Sequence, residues 1–399
     1  MAFFNPFRPS YLADPYASLA RLREEEPVFF SRDLDGWVLT RHADCSAVLR
    51  DHERFSTDPA RARGALGEHV RASRAASPME GAPLIGSTDA PVHTRLRAIV
   101  NRAFTPRVVE GEREFARETA EALLSRRNGP FEFMAGLAEP LPVAVIGHLL
   151  GLTSEERDPV RGWAVVLMRA HSGDPTPAVR DGAAEAKREM LAFLARYVET
   201  HRDSGGGRLI AILLEAEREG ERLSHEELLA FATFLYTAGT GPTALALNLA
   251  VTHLAQFPDA AEAVRADRAL LRPFLEESLR FDSATHSLLR YALADAEVGG
   301  RTVRAGDTVH VMVGAAHRDP EVFPEPDRFD LHRRIPAGDL LSFGAGPHFC
   351  LGMPLAYLEE EEAIGALLDR LPRIEVVEQR PLEGSLLMRG PNRVVLAGA

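Results

Sequence analysis

The sequence predicts a mainly helical fold with a small region of β-sheet, in one domain that spans residues 1–399. Apolar residues recur at helical spacing from about residue 107 to residue 253, with short interruptions at glycine and proline. Short runs typical of strands lie outside that stretch. A hydrophobic content of 45% in 399 residues is enough to bury a large core.

The first ninety residues predict two helices, two strands and a long loop. A helix is predicted over residues 14–26, where leucines recur at helical spacing. Strands follow at 27–31 and 36–40, separated by turn residues, and a second helix ends near Arg50. Residues 51–88 are rich in Ala, Gly, Arg, Ser and Pro and show little periodicity, which predicts a loop of the kind that forms lids.

The longest helical pattern begins at a clear start signal. Ser224 and Glu227 have the spacing of a capping box. Leu223 and Leu228 have the spacing of the hydrophobic staple that often accompanies one. The pattern then stays apolar on almost every face to about Leu254, which predicts a helix buried on most sides. Other glycine-rich and proline-rich turn signals interrupt the helical stretch without forming a linker: 129–130, 173–175 and 205–207.

The last third of the chain predicts most of the sheet. A hairpin and a strand are predicted over residues 296–309, where two glycine turns separate β-branched residues. A helix begins near Met353, and closing strands are predicted at 374–377 and 394–396.

Composition and charge exclude several classes of protein. A formal net charge of −12 argues against nucleic acid as a partner. No apolar run approaches the roughly 20 residues of a membrane span, and the first residues lack a signal-peptide layout, which predicts a cytoplasmic protein. The two cysteines, Cys45 and Cys350, lie too far apart in sequence to indicate a disulfide framework. Cys45 falls in a helical pattern and is interpreted as a packing residue.

The chemistry is concentrated in a short run around Cys350. Gly344 and Gly346 allow positive backbone φ angles and a close approach to a flat partner. Pro354 suits the first turn of a helix, so Cys350 precedes a helix N-terminus, where the thiolate is favoured. One cysteine cannot build a zinc site, whereas a single thiolate suits an axial bond to haem iron. The alternative is a structural cysteine in a loop.

This run resembles, at every fixed position, the haem-binding signature of the cytochrome P450 family. The matching residues are Phe343, Gly344, Gly346, His348, Cys350 and Gly352. The resemblance extends from about residue 12 to the end of the chain, in the family's order. It implies the cytochrome P450 fold and haem b as cofactor. It also implies that Cys350 is the iron ligand and that Phe343, His348 and Gly352 belong to the cofactor-binding loop.

Residues 89–97 resemble the family's Asp-Pro-Pro-x-His-x-x-x-Arg segment, although Ala90 and Val92 depart from it. His93 and Arg97 are four residues apart and project from one helix face, which taken alone is typical of an exposed basic stripe. The resemblance instead gives the donors to the haem propionates: His93, Arg97, Arg290 and His348.

Glu277 and Arg280 match the family's Glu-x-x-Arg motif, about seventy residues before the cysteine run. The resemblance makes this pair structural, because it ties its helix to the meander at residues 315–330. Taken alone, the spacing is also that of an ordinary surface pair.

The central helix departs from the family pattern. The family has Ala-Gly-x-acid-Thr-Thr, but Gly241 stands at the acid position and Pro242 at the alcohol position. Pro242 has no N–H to donate and is expected to kink the helix. The usual proton relay is therefore missing. The candidate proton sources are a water chain held by Thr240 or Thr243, a hydroxyl or carboxylate of the substrate, peroxide that arrives with its protons, and ordinary waters in the kinked groove.

Matching motif positions nominate a substrate pocket that is mostly apolar, as small-molecule pockets tend to be. Each residue taken singly is as often ordinary core, and His286 either faces the ligand or hydrogen-bonds the sheet. The nominated residues are Leu84, Ile85, Phe234, Thr237, Ala238, Gly241, Pro242, His286 and Leu387.

The resemblance implies a haem-thiolate monooxygenase that activates O₂ to oxidise a small organic substrate. Electrons would come from a separate ferredoxin and ferredoxin reductase, with Arg102 and Arg107 as candidate docking residues. A monomer without membrane or nucleic-acid partners is expected. One alternative is a peroxide-driven haem-thiolate oxygenase, and another is a haem-thiolate ligand-binding protein without turnover.

Overall fold

The computed structural model describes residues 4–76, 82–127, 129–171, 177–203, 207–218, 223–382 and 385–397. The turn signals at 173–175 and 205–206 lie outside these residues. By its internal contacts the chain divides into two compact units. The first unit comprises Met1–Val92, Glu276–Cys350 and Ser385–Arg389, and the second comprises His93–Leu275, Leu351–Gly384 and Gly390–Ala399. That the whole chain is one domain stays a prediction.

Helices dominate the chain, as the sequence predicts. Within the described ranges they are α1 (Pro9–Ala13), α2 (Tyr16–Glu25), α3 (His42–Arg50), α4 (Gly64–Ala76), α5 (Val92–Val100), α6 (Pro106–Glu110), α7 (Arg113–Ser125), α8 (Pro140–Leu150), α9 (Ser154–His171), α10 (Pro177–Thr200), α11 (Arg208–Arg218), α12 (His225–Gln256), α13 (Pro258–Ala266), α14 (Leu271–Phe281), α15 (Val313–Ala316) and α16 (Met353–Arg370). None of these helices combines the length and the apolar character that crossing a bilayer requires.

In the part of the chain that the structure describes, the strands are short and fall in three sheets. They are β1 (Val28–Ser31), β2 (Gly36–Leu39), β3 (Phe55–Ser56), β4 (Phe131–Glu132), β5 (Leu288–Ala292), β6 (Ala296–Val298), β7 (Arg301–Val303), β8 (Thr308–Val311), β9 (Val376–Pro381) and β10 (Pro391–Leu396). The first unit holds a five-stranded sheet in the order β1-β2-β8-β5-β3 and the hairpin β6-β7, whereas the second unit holds β4-β10-β9.

The five-stranded sheet supports the cysteine run within the first unit. β2 and β8 are parallel, and the other neighbouring strands are antiparallel. Val309 and Val311 of β8 are fully buried in a cluster that includes Leu341 and Ala345, on either side of Phe343. Apolar burial therefore attaches the start of the cysteine run to the sheet.

A buried ion pair organises the segment that leads to this run. Arg280 and Glu277 are 0% and 1% exposed, and two guanidinium nitrogens donate to the carboxylate at 2.7 and 2.8 Å. Arg280 also donates to the carbonyls of His317, Pro326 and Arg328. The pair is thus buried within the first unit, as the motif predicts, and is not a surface pair.

The second unit is built around α12, which begins at the predicted capping box. The Glu227 N–H donates to Ser224 Oγ at 3.2 Å, and the Ser224 N–H donates to the Glu227 carboxylate at 2.9 Å. α8, α9, α10, α11, α16 and β10 pack against this helix. A helix surrounded in this way buries almost all its faces, which explains its nearly uniform apolar sequence.

The structure corrects the loop expected at residues 51–88 and shows the course of α12 around Pro242. Residues 51–88 were expected to form a loop, but they contain β3 and the helix α4. Most side chains of α4 are exposed, so the helix has no apolar stripe that a periodicity search could detect. The helical conformation of α12 continues through Pro242 to Gln256, and the kink expected at this proline stays a prediction.

Replacing Arg280 tests how strongly the fold depends on the buried pair. Arg280→Ala leaves the Glu277 carboxylate buried without its cation, which is expected to cost about 3–5 kcal/mol of unfolding free energy. The matched control is Arg328→Ala, whose side chain is exposed and, among the described residues, bonds Glu325 and Asp330. Chemical denaturation measures both variants. An Arg280→Ala variant as stable as the control would contradict a structural role for the pair.

Candidate active site

The cysteine run of the first unit folds as a tight hairpin. The Cys350 N–H donates to the Phe343 carbonyl at 2.8 Å, and both Gly344 and Gly346 have a φ of 72°. A Cβ atom on Gly346 would lie 3.0 Å from both the Arg50 Cα and the Leu49 carbonyl oxygen. Glycine is therefore required at position 346 by backbone conformation and by space.

Of the two cysteines, Cys350 is the accessible one. Its side chain is exposed, three residues before the first residue of α16, and Pro354 occupies the first turn of that helix. Cys45 is fully buried in α3, where burial raises the pKa of its thiol well above the usual range. Burial in an apolar cluster makes Cys45 unsuitable as a thiolate ligand, whereas Cys350 has the access that a metal ligand needs.

Arg290 is a buried cation in the first unit that fits a carboxylate ligand. It lies on β5 with 6% exposure, and within the described ranges its hydrogen bond goes to the adjacent Leu289 carbonyl at 2.9 Å. Burial lowers the pKa of Arg290 to about 10, and the nearby Asp89 opposes that shift. A guanidinium at such depth favours an anionic partner, because an uncompensated buried charge is costly.

Two polar residues lie near the first unit's predicted donors: Asp89, which opens the 89–97 segment and lies near Arg290, and Thr57, which the sequence did not single out and which contacts His348. Asp89 accepts from Ser56 Oγ and, at 3.3 Å, from the Thr57 N–H. Thr57 Oγ1 lies 3.3 Å from His348 Nε2. Thr57 and His348 are 291 residues apart in sequence, so local motifs give no signal for their contact.

The second unit carries the other two predicted propionate donors on α5. His93 is 4% exposed, whereas Arg97 is half-buried one helical turn further on. Leu96 and Val100 bury the side of α5 that faces the core of its unit. The helix therefore exists as predicted, and the roles of His93 and Arg97 stay predictions.

One stripe of α12 stays accessible although the rest of the helix is buried. Ala238 is exposed, and Phe234, Thr237 and Pro242 are partly exposed. These positions follow helical spacing and share one face. The stripe lies in the middle of a helix that is otherwise largely buried, so it marks a part of α12 that the described residues do not cover.

The predicted catalytic threonines lie away from this stripe. Thr240 is fully buried, and its hydroxyl has no hydrogen-bond partner among the described residues. Thr243 is 5% exposed, and its hydroxyl donates to the Gly239 carbonyl at 2.8 Å. Gly241 is also buried. The roles of Thr240 and Thr243 in proton transfer stay predictions.

Pro242 changes the backbone on the accessible stripe. In an α-helix the N–H of residue 242 would donate to the carbonyl of Ala238, four residues earlier, and proline has no such hydrogen. The Ala238 carbonyl consequently loses its regular intrahelical donor at the most exposed point of the stripe. A hydroxyl group or a water molecule can bond to this oxygen instead.

The remaining pocket candidates differ in accessibility. His286 is 2% exposed, its Nε2 lies 3.2 Å from the Tyr11 hydroxyl, and burial lowers its pKa to about 4. The N–H of His286 donates to the Leu387 carbonyl at 2.8 Å, which connects two candidates within the first unit. Leu387 and Leu84 are partly exposed, whereas Ile85 is 8% exposed. His286 therefore bonds a tyrosine of α1, and its role towards a ligand stays a prediction.

A mainly helical chain that presents one accessible thiol on a glycine hairpin, immediately before a helix, has the features of a haem-thiolate protein. Comparison with known proteins agrees. The family description "Cytochrome P450" matches residues 174–394. The chain is 35% identical to the epothilone C/D epoxidase of Sorangium cellulosum over 382 residues, which are 94% of this chain and 90% of that protein.

Two further comparisons extend over nearly the full length. The chain is 37% identical to the cytochrome P450 monooxygenase PikC of Streptomyces venezuelae over 371 residues, which are 91% of this chain and 85% of that protein. The crystal structure of epothilone D-bound cytochrome P450epoK superposes with a TM-score of 0.90 at 32% identity, and covers 99% of this chain and 98% of its own. The chain belongs to the cytochrome P450 family, and it is an oxidoreductase of the monooxygenase class.

Substitution of Arg290 tests whether its buried charge holds a cofactor carboxylate. Arg290→Met leaves such a carboxylate one donor short, which is expected to weaken haem retention by about 1–3 kcal/mol. Arg304→Met is the control, because Arg304 is an exposed arginine of the same unit. Haem content after purification and the melting temperature are the measurements. Equal haem content and melting in the two variants would remove Arg290 from the cofactor site.

Proposed function

We propose that the protein is a monooxygenase in which Cys350 is the axial ligand of haem b. The observation that carries this proposal is the accessible thiol of Cys350, on a hairpin that requires glycine at position 346. Phe343 and Gly352 flank the ligand in the same loop. When bound, a haem with a thiolate ligand supplies an oxidant strong enough to attack C–H bonds.

Each unit carries residues that are proposed to hold haem propionates. In the first unit, the buried Arg290 and the partly exposed His348 are proposed donors, and the electrostatic contact with Asp89 favours the charged form of Arg290. In the second unit, His93 and Arg97 on α5 are proposed donors. Both donor types form charge-assisted hydrogen bonds to carboxylates, which orient a planar group as well as retain it.

We propose that the substrate is a small organic molecule that supplies part of its own proton delivery. Neither Gly241 nor Pro242 can carry a proton, and Thr240 and Thr243 are buried. The Ala238 carbonyl, which lacks the N–H of residue 242, is an acceptor for a substrate hydroxyl or for a water that the substrate holds. A hydroxyl that donates its one hydrogen to this carbonyl has none left to deliver, whereas a water held between the carbonyl and the substrate hydroxyl keeps a second hydrogen, which would replace the missing relay.

The accessible stripe supplies the wall against which such a substrate would lie. Phe234, Thr237, Ala238 and Pro242 offer apolar surface with a single backbone acceptor. Leu84, Ile85, His286 and Leu387 stay proposed as further pocket residues. A mostly apolar wall with few polar groups favours orientation of a hydrophobic molecule by one hydrogen bond.

Peroxide-driven oxygenation is the second candidate, and the same two residues favour it. Peroxide already carries the protons that an acid–alcohol pair would deliver, so Gly241 and Pro242 would not impair that reaction. Oxygenation with O₂ remains the first candidate, with electrons from a separate ferredoxin and its reductase.

The structure bears on the proposed ferredoxin contacts. Arg102 forms an ion pair with Glu215 at 2.8 Å, so its charge is already compensated in the second unit. Arg107 is exposed and remains the better docking candidate. The cytoplasmic location and the monomeric state also remain proposals.

Replacing Cys350 tests the axial ligand. Cys350→His is expected to abolish the red-shifted Soret band of the reduced carbon monoxide complex, because imidazole donates less charge to iron than thiolate does. Cys45→Ala is the matched control and is expected to keep that band. Absorption spectra of both reduced variants with carbon monoxide decide the matter, and an unchanged band in Cys350→His would sink the assignment.

Replacing Pro242 tests proton delivery by the substrate. Pro242→Ala restores the N–H that occupies the Ala238 carbonyl, and it removes a residue that costs about 3 kcal/mol in a helix interior, so folding is not impaired. We expect this variant to form less product per electron pair, and more peroxide, with hydroxylated substrates. Substrate analogues that lack the hydroxyl should couple poorly in both the wild type and the variant.

Two further measurements complete this test. Gly241→Glu combined with Pro242→Thr should improve coupling for the analogues and change it little for the hydroxylated substrate. Gly162→Glu, at an open position on α9, controls for the added carboxylate. Equal coupling of all compounds in the wild type would contradict substrate assistance. Faster turnover with peroxide than with any ferredoxin and reductase would establish the second candidate.

A further inference from the structure

The carboxylate of Glu227 serves two helices of the second unit. It accepts the Ser224 N–H at 2.9 Å and so caps α12. The same carboxylate accepts two hydrogen bonds from Arg95 of α5: Nη1 donates to Oε2 at 2.9 Å and Nη2 donates to Oε1 at 2.5 Å. A fork-to-fork pair of this kind fixes orientation as well as distance.

The contact is partly buried and fully charged at neutral pH. The Arg95 side chain is 34% exposed and that of Glu227 is 10% exposed. The hydrogen bonds from Arg95 hold the pKa of the Glu227 carboxyl below its usual range. Partial burial limits screening by salt, so this pair holds its two helices more firmly than an exposed ion pair would.

Arg95 occupies a specific place on α5. It lies two residues after His93 and two residues before Arg97, so its side chain leaves the helix on a different face from theirs. A rotation of α5 about its axis would move all three side chains together. Fixing Arg95 on the N-terminus of α12 therefore also fixes the directions in which His93 and Arg97 point.

We propose that Arg95 and Glu227 are positioning residues that lock α5 in the rotation at which His93 and Arg97 meet the haem carboxylates. This inference rests on the proposed function, because it needs haem as the bound group. Neither Arg95 nor Glu227 touches the reacting atoms in this account. Their effect is on how long the haem stays bound, through the two donors on α5.

The test measures the rate at which haem leaves the holoenzyme for an excess of apomyoglobin. Arg95→Gln and Glu227→Gln each break the charged fork, and each is expected to speed haem loss by about tenfold or more, since tenfold is near the lower end of what loss of a charged hydrogen bond implies. The double variant should lose haem no faster than either single variant, because both act on one contact.

Two controls separate positioning from general stability. Ser224→Ala removes the hydroxyl that caps α12 but leaves the Arg95 fork intact, so it should lower the melting temperature without changing the haem-loss rate. Arg102→Gln breaks the exposed pair with Glu215 close to the end of α5 and should change neither quantity appreciably. Arg95→Lys keeps the positive charge but donates from a single nitrogen. Its haem-loss rate should therefore lie between those of the wild type and Arg95→Gln.

Haem-loss rates of Arg95→Gln and Glu227→Gln equal to that of the wild type would overturn the inference. Additive effects in the double variant, or equal acceleration by Ser224→Ala, would overturn it as well. These outcomes are distinct from failure of the proposed function, which the carbon monoxide spectrum of the wild type reports. If Arg95→Gln does not retain haem through purification, the rates of Arg95→Lys and Glu227→Gln decide.

Discussion

The structure of the first unit depends on hydrogen bonds that satisfy the fully buried guanidinium of Arg280. Arg280 cannot be satisfied by its own helix, so it takes acceptors from the chain that leads to the cysteine hairpin. Glu277 in turn accepts from the Asp330 N–H and the Arg333 side chain. Each of these bonds is modest alone, but burial makes any unfilled one expensive. The path of residues 317–333 is therefore set by the hydrogen-bond requirements of two side chains.

Much of this architecture could be predicted from the sequence, because caps, turns and hydrophobic periodicity are signals that lie within a few residues of one another. The capping box at Ser224, the strands β1 and β2 and the helix after Cys350 all have such signals, and the structure confirms them. The helix α4 has no such local signal, because most of its side chains are exposed and two long arginine side chains attach it to residues 58–60. Arg71 donates to the Ala60 carbonyl, and Arg74 pairs with Asp58.

The candidate site was predictable only where its residues carry a motif. Cys350 and its glycines could be found in this way, whereas the partners of Arg290 and His348 could not. Arg95 and Glu227 are 132 residues apart, and nothing in either local pattern indicates their contact. The sequence also did not reveal which candidate side chains are accessible. His286 and Thr240 stand at positions that match the family's functional residues, yet both side chains are buried. Side-chain direction within a helix depends on packing that a pattern does not record.

The proline in the central helix also affects how this site can evolve. A side-chain relay is lost when either its acid or its alcohol is replaced by a residue that cannot carry a proton. A carbonyl freed by Pro242 belongs to the main chain, so mutation of residue 238 alters its surroundings but does not remove the oxygen. This carbonyl is available as an acceptor because residue 242, four positions further on, is a proline without an N–H. Selection on substrate choice can therefore vary the exposed side chains of α12 widely while the acceptor itself is inherited unchanged.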